Sequence, residues 1–212
     1  MKKITFSDPH RQKHFDFFRR MDQPHFSVTA NVDITRFRAI QAEQQLSFTS
    51  SVVYLISRTA NDIPVFRQRI RGPEVVEHKL VHPSFAVLTE VSDVFSFCTV
   101  TYQRDFQAFS SDALAQMARM KTNPVLEDEP GRDDFLFLST LPWVSFTTIT
   151  HAMHYSPVDS VPRIVWGKFF PEGDRLKMPL SVQAHHALVD GRHVGEYFQK
   201  IQDLLDGFLE FT

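Results

Sequence analysis

The stretch Leu176-Lys177-Met178-Pro179-Leu180-Ser181-Val182-Gln183-Ala184-His185-His186-Ala187-Leu188-Val189-Asp190-Gly191 decides how this chain is read. Residues Leu176 to Ala184 follow a turn signal, Glu172-Gly173-Asp174, and read as the second strand of a hairpin. The strand runs straight into His185-His186, and a helix is expected to start about four residues later, after Asp190. Its apolar residues Val194, Tyr197, Phe198, Ile201, Leu204, Leu205 and Phe208 fall on one face at helical spacing. Two imidazoles thus stand at a strand end beside a helix start, where a side chain is held rigidly while facing a cleft. Neutral imidazole is the natural general base near neutral pH, because its ordinary pKa lies close to that range.

Each of these residues also has a plainer reading. His186 alone fits a hydrogen-bonded core histidine, Asp190 an N-cap, and Gly191 simple turn chemistry. His185, His186, Asp190, His193 and the pair His151 and His154 raise the question of a metal. Adjacent histidines at a strand end point to opposite faces, and a His-Glu-x-x-His helix is absent, so no metal site is expected.

Working outward, helices are expected over His10 to Met21, from a cap at Thr35, over Ser51 to Asn61, and over Asp105 to Met120. Strands are expected over Phe26 to Ile34, Val65 to Ile70, Val75 to Leu80, Phe85 to Thr89 and Val94 to Tyr102. Further strands are expected over Phe135 to Ser139, Val144 to Thr148 and Arg163 to Phe169. The acidic stretch Leu126 to Gly131 reads as a surface loop. Helices mixed with runs of antiparallel strands, without repeat or linker, predict one α+β domain over residues 1–212.

Composition narrows the function. The 212 residues include 42% apolar and 23% charged side chains, ordinary for a globular chain. Phe is the exception at 21 residues, which fill a core or line a pocket for an apolar ligand. A net charge of -2 without a basic block argues against nucleic acid. The N-terminus lacks a signal-peptide pattern and no window suits a membrane span, so a cytoplasmic protein is expected. A single Cys98 excludes an intrachain disulfide or a thiolate metal cluster.

The pattern His185-His186-x-x-x-Asp190-Gly191 resembles the signature shared by chloramphenicol acetyltransferases and the catalytic domains of dihydrolipoamide acyltransferases. The longer run from Met178 to Val194 is similar to the chloramphenicol branch. So are Arg11-Gln12-Lys13-His14-Phe15, the segment Ser139-Thr140-Leu141-Pro142-Trp143-Val144-Ser145-Phe146, and Trp166-Gly167-Lys168-Phe169 with its hairpin. The resemblance covers essentially the whole chain. It implies a two-layer fold, with a mixed or antiparallel sheet covered by helices. It further implies an acetyl-CoA-dependent O-acetyltransferase acting on a small-molecule alcohol, and a homotrimer with active sites between subunits.

Within that resemblance His186 is the general base and Ser139 the donor to the oxyanion, with direct attack on the thioester and no acyl-enzyme. Asp190 and Arg11 form a buried ion pair that braces the signature loop. Trp143 and Lys168 lie along the CoA arm, and Phe17, Phe18, Phe26 and Val165 belong to the acceptor pocket. No metal takes part, and Cys98 has no catalytic role. Val165 stands where well-known members carry Thr, and Phe18 where Tyr is common. His151-Ala152-Met153-His154-Tyr155 replaces a usual Leu-Asn-Val-Ala-Asn, and Ser47-Phe48-Thr49 a usual Lys-Phe-Tyr. These departures leave the chemistry intact and the acceptor open, toward chloramphenicol or a more polar alcohol. Two other readings remain: acyl transfer to a lipoyl-type thiol, and drug binding without turnover.

Overall fold

The computed structural model describes every residue except Asp128, Pro130, Tyr155 and Thr212. Parts of the expected acidic loop and of the segment 151–155 therefore lie outside the described residues. Among the described residues the chain runs β1 (Lys2–Ile4), α1 (Pro9–Phe18), β2 (His25–Asp33), α2 (Thr35–Glu43), α3 (Phe48–Asn61), β3 (Gln68–Arg71), β4 (Glu74–Glu77), β5 (His82–Leu88) and β6 (Phe95–Thr99). It continues with α4 (Phe106–Thr122), β7 (Phe135–Leu141), β8 (Arg163–Gly167), β9 (Phe170–Glu172), β10 (Arg175–His185) and α5 (Gly191–Asp206). The main sheet has the order β2-β10-β8-β7-β5-β6, with β9 on β10, and a small second sheet has the order β1-β4-β3. Two pairings, β5 with β7 and β7 with β8, are parallel and the rest antiparallel, which gives the expected mixed sheet of an α+β fold.

β10 is the spine. It pairs with β2 from Lys177↔Asp33 to His185↔His25 and with β8 on its other edge. Buried on both edges, it fixes where its last residues point. Gly173, at φ 61°, makes the hairpin turn that returns the chain into it. α3 is buried along nearly its whole length. Its hydroxyls survive burial because Ser51, Ser57 and Thr59 each donate to a carbonyl four residues back, and Ser50 bonds Ser110. Many of the phenylalanines, including Phe37, Phe66, Phe85, Phe109 and Phe208, are core.

Several expectations are corrected. Val65 to Ile70 is not one strand: Pro64–Arg67 forms a short 3-10 turn and β3 begins at Gln68. Pro64 at the head of that turn has no N–H for a ladder. Val144 to Thr148 is irregular rather than a strand. It is held against the β8 end by Lys168 N–H donating to the Val144 carbonyl and Ser145 Oγ donating to the Lys168 carbonyl. A Cβ at Gly167 would lie 2.8 Å from the Val144 oxygen, so only glycine admits this approach. Thr35 is the first residue of α2, not its cap, and Asp33 accepts from its N–H and hydroxyl. α1 stops at Phe18, short of Met21, and β1 has no counterpart in the expected elements.

Arg69 on β3 is fully buried. Its guanidinium donates to four backbone carbonyls, those of Phe66, Gln68, Asp133 and Phe135, tying the small sheet to the start of β7. Burial lowers its pKa to about 10, partly offset by Asp133. No helix among the described residues is long and apolar enough to cross a membrane.

Candidate active site

β10 ends at His185, and His186 begins the turn toward α5. The two rings part as strand geometry requires. His185 is buried, its Nδ1 accepts the Ala187 N–H at 3.2 Å, and its ring meets His25 edge-on. Burial, with His25 and His186 adding to it, pushes its pKa down to about 4, so it stays neutral. His186 is only half-buried and faces the other way.

Three features lock His186. Its N–H donates to the Pro24 carbonyl at 2.8 Å, joining the turn to the segment before β2. The N–H groups of Leu188 and Val189 both donate to the His185 carbonyl at 3.0 Å, closing the turn behind it. Its ring stacks on Phe18 at 3.9 Å and 14°, and packs on Phe26 at 4.5 Å and edge-on to His14 at 5.5 Å. Nδ1 is sealed from solvent. Nε2 is therefore the nitrogen that a substrate can reach, and a neutral ring with its proton on Nδ1 can take a proton there.

Asp190 caps α5. Its carboxylate accepts the Arg192 N–H, and its own N–H donates to His193 Nδ1 at 3.0 Å, closing a capping box. The backbone bond from Arg192 chiefly holds its pKa below the usual range, against some desolvation. The expected Arg11–Asp190 ion pair is not formed. Arg11 instead donates to His14 Nδ1 at 2.9 Å and to the Leu188 carbonyl, and Asp190 meets His14 Nε2 at 3.6 Å. The brace runs through His14, which shares a face of α1 with Arg11 at i,i+3 spacing. Asp190 is also half-exposed, not buried. A cleft of about 610 Å³ opens here, bordered by Phe6, His10, Arg11, His14, Asp190 and His193.

One nitrogen from each of His14 and His186 and an Asp190 oxygen lie within 4.8 Å of one another, a grouping that could hold a cation. Arg11 makes it a poor cation site. Its positive charge sits on His14 Nδ1, which forces the remaining ring proton onto Nε2, the nitrogen that faces Asp190.

Ser139 lies elsewhere. On β7 it pairs with Val165 of β8, which pairs with Ser181 of β10, five residues before His186. At ~3.3 Å per residue along a strand and ~4.8 Å between strands, Ser139 and His186 of one chain stand roughly 20 Å apart. Ser139 instead borders its own cavity of about 430 Å³, with Phe95, Phe97 and Phe137 facing His151, Met153 and His154. Burial drives the His151 pKa down to about 4, helped by Arg163, so the cavity carries a neutral imidazole. Arg163 at its edge is itself paired with Asp159 at 2.6 Å.

Of the expected pocket residues, Phe18 and Phe26 touch His186, Phe17 is 60% exposed, and Val165 is fully buried inside the sheet. Trp143 is 64% exposed, and Lys168 is exposed on the neighbouring segment. The residues missed from sequence are His14 and the cavity rings Phe95, Phe97 and Phe137. His14 had a signal in its spacing from Arg11. The rings had none beyond alternation on their strands, since two strands distant in sequence, β6 and β7, supply them.

A family model described as "Chloramphenicol acetyltransferase" matches residues 1–202. The chain is 31% identical over 201 residues to chloramphenicol acetyltransferase 3 of Escherichia coli, covering 94% of each. It is 31% identical over 209 residues to chloramphenicol acetyltransferase 2 of Haemophilus influenzae, covering 98% of each. A solved chloramphenicol acetyltransferase superposes with a TM-score of 0.82 at 25% identity, over 96% of this chain and 99% of the other. An Azotobacter vinelandii dihydrolipoamide acetyltransferase structure shares the fold, with a TM-score of 0.69 at 18% identity over 94% of this chain and 88% of the other.

Proposed function

The chain belongs to the chloramphenicol acetyltransferase family, and on that footing we propose that it moves an acetyl group from acetyl-CoA to a hydroxyl of chloramphenicol or a related small molecule. The observation that carries this reading is the placement of His186, half-buried just past the end of β10, with Nδ1 sealed from solvent and the ring clamped by Phe18 and Phe26. Nε2 takes the hydroxyl proton as the oxygen attacks the thioester carbonyl. The Ser139 hydroxyl donates to the resulting oxyanion, a contact worth ~3 kcal/mol in comparable sites. Collapse expels the CoA thiolate, which recovers the proton from the imidazolium. No acyl-enzyme forms, and Cys98, its pKa raised to about 12 by burial, takes no part.

The separation of Ser139 from His186 along the sheet supports an active site completed between two chains of a homotrimer, His186 from one and Ser139 with its cavity from the next. The exposed Trp143 and Lys168 then flank the CoA arm. Residues 1–212 act as one acetyltransferase unit in the cytoplasm, without a metal. A second reading, acetylation of a more polar alcohol, is favoured by His151 and His154 at the cavity.

The test is release of free CoA from acetyl-CoA with chloramphenicol and with a panel of other alcohols. Turnover is expected with chloramphenicol and absent in His186→Ala. Turnover only with other alcohols keeps the mechanism and moves the substrate to the second reading. Silence with every acceptor removes the catalytic reading.

A further inference from the structure

We propose that the Ser139 cavity is one end of a longer trough across β7, β5 and β6, which binds an elongated acceptor: a flat, apolar body ending in a neutral, hydroxyl-rich (sugar-like) tail. The proposal rests on acetyl transfer taking place at the Ser139 end, and it extends the site away from there.

The floor follows from strand periodicity. Side chains two residues apart share a face, so His82, Ser84 and Ala86 of β5 line up. So do Phe135, Phe137 and Ser139 of β7, and Phe95, Phe97 and Thr99 of β6. The register sets His82 beside Phe135, Ser84 between Phe137 and Thr99, and Ala86 beside Phe97. The middle strand thus offers small side chains at 84 and 86, flanked by rings from both neighbours. Roughly 10 Å separates the two outer backbones, a slot that suits a flat ring lying along β5. The opposite face of the same strands is core, where Phe85, Val87, Cys98, Leu136 and Leu138 are buried.

Two cavities occupy this face. One, of about 430 Å³, holds Ser139, and the other, of about 480 Å³, begins where it ends, since Ser84 and Phe97 line both. From Ser139 to Phe135 is ~13 Å along β7. The lining turns polar on the way, to His82, Thr99, Thr101 and, from α4, Gln116 and Arg119. His82 Nδ1 accepts the Tyr102 N–H at 3.0 Å, so the neutral ring keeps its proton on Nε2 as a donor. Burial holds that ring neutral by lowering its pKa, against Asp134. Thr99 Oγ1 donates to Ser84 Oγ at 3.1 Å at the junction of the two cavities. Carboxylates (Asp112, Glu127, Glu129) stand among guanidiniums (Arg119, Arg132) in the second cavity, so a tail charge of either sign meets its like. A hydroxyl both donates and accepts, and such a mixed lining suits it.

The test compares three acceptors with one head group: 4-methoxybenzyl alcohol, 4-(hydroxymethyl)phenyl glucoside and the matching glucuronide. In CoA release, kcat/KM for the glucoside should exceed that for the methoxy compound about tenfold, through KM, with the acetyl group on the benzylic oxygen by NMR. Equilibrium binding without acetyl-CoA should show the same ratio. Ser84→Leu fills the shared floor and should bring the ratio to within about twofold of one. Gln116→Leu, on the α4 surface, should lower it about threefold and carries the test if Ser84→Leu does not accumulate. Equal binding of glucoside and methoxy compound, or a ratio untouched by either variant, overturns the proposal. A glucuronide that outdoes the glucoside overturns the neutral tail. If a second copy of the chain fills the trough instead, Ser84→Leu should reduce the oligomer's mass in sedimentation while wild type shows no tail preference, which also overturns it. A binding ratio that holds without any turnover sinks the transferase reading and leaves the trough. Turnover of the methoxy compound with a binding ratio near one sinks the trough alone.

Discussion

The surroundings of His186 and of Ser139, the two half-sites of the proposed function, are built by different means. Around His186 the turn itself is local: a strand end, a turn closed by two bonds to one carbonyl and a capped helix lie within about one motif of chain. Phe18 of α1, Pro24 just before β2 and Phe26 of β2 clamp it. Around Ser139 the wall is assembled from β5, β6, β7 and the irregular stretch that includes His151 to His154. The first half can set a proton-transfer geometry, because fixed groups supply it without reorganisation. The second is suited to setting which molecule enters, because its lining can change by substitution without disturbing the turn. On the proposed reading, chemistry and selectivity are separated by roughly 20 Å of sheet within each chain.

That separation can be broken outright. Ser139→Ala and His186→Ala should each lower kcat by ~100-fold or more when made alone. Co-expressed, they should regain activity, because an interface with His186 from one chain and Ser139 from the next has lost neither. With random mixing in a closed ring, about a quarter of such interfaces are intact. Recovery to that fraction, measured on purified hetero-oligomers, sharpens the comparison. No recovery in verified mixed oligomers would place both groups in one chain's site and undo it.

The stability of the rigid half should answer to pH. The His185 pKa falls from 6.5 to about 4 through burial, then through His25 and His186. The unfolded chain therefore binds a proton before the folded one does. Stability from this ring is whole above pH 6.5, falls as pH drops, and is gone below about 4. The loss across that window is on the order of 3 kcal/mol. His185→Asn, whose Oδ1 can replace Nδ1 as acceptor for Ala187, should flatten the wild-type slope of unfolding free energy against pH. His151 has a similarly lowered pKa, so its removal should flatten that slope by a comparable amount over the same window. No flattening by either would mean that neither ring is held neutral by burial in the folded chain.

How much was legible follows the same division. The half-site at His186 was readable because its determinants are neighbours in sequence: a strand entering a His pair, Asp190 at cap position, an apolar helix face. The α+β class followed from the order of elements. Val144 to Thr148 misled because its apolar alternation serves contact with the β8 end, where Gly167 permits an approach no other residue would. Arg69 was invisible as a core residue, since nothing local says that four carbonyls wait for its guanidinium. The Arg11–Asp190 pair was expected without the ring that intervenes. Ser139's cavity depends on strands distant in sequence that only the register brings together.

The smallest effect concerns selectivity. His151 donates its N–H to Gln183 Oε1 at 3.1 Å, so the backbone there is anchored to β10 while the imidazole lines the cavity. Neutral above about pH 4, the ring offers one donor and one acceptor amid Phe95, Phe97 and Phe137. An acceptor with a polar edge can pair with it, and an apolar one leaves it unsatisfied. His151→Leu should therefore raise KM about tenfold for polar alcohols, the ~1–2 kcal/mol of one lost hydrogen bond, and leave or lower it for apolar ones. Acceptor KM should owe no pH dependence to this residue between pH 6 and 8, because its titration lies below that range. Saturation curves for one polar and one apolar acceptor at both pH values decide it. If instead kcat falls equally for both while KM holds, His151 belongs with the chemistry, and the division between the two half-sites is not the one that governs this enzyme.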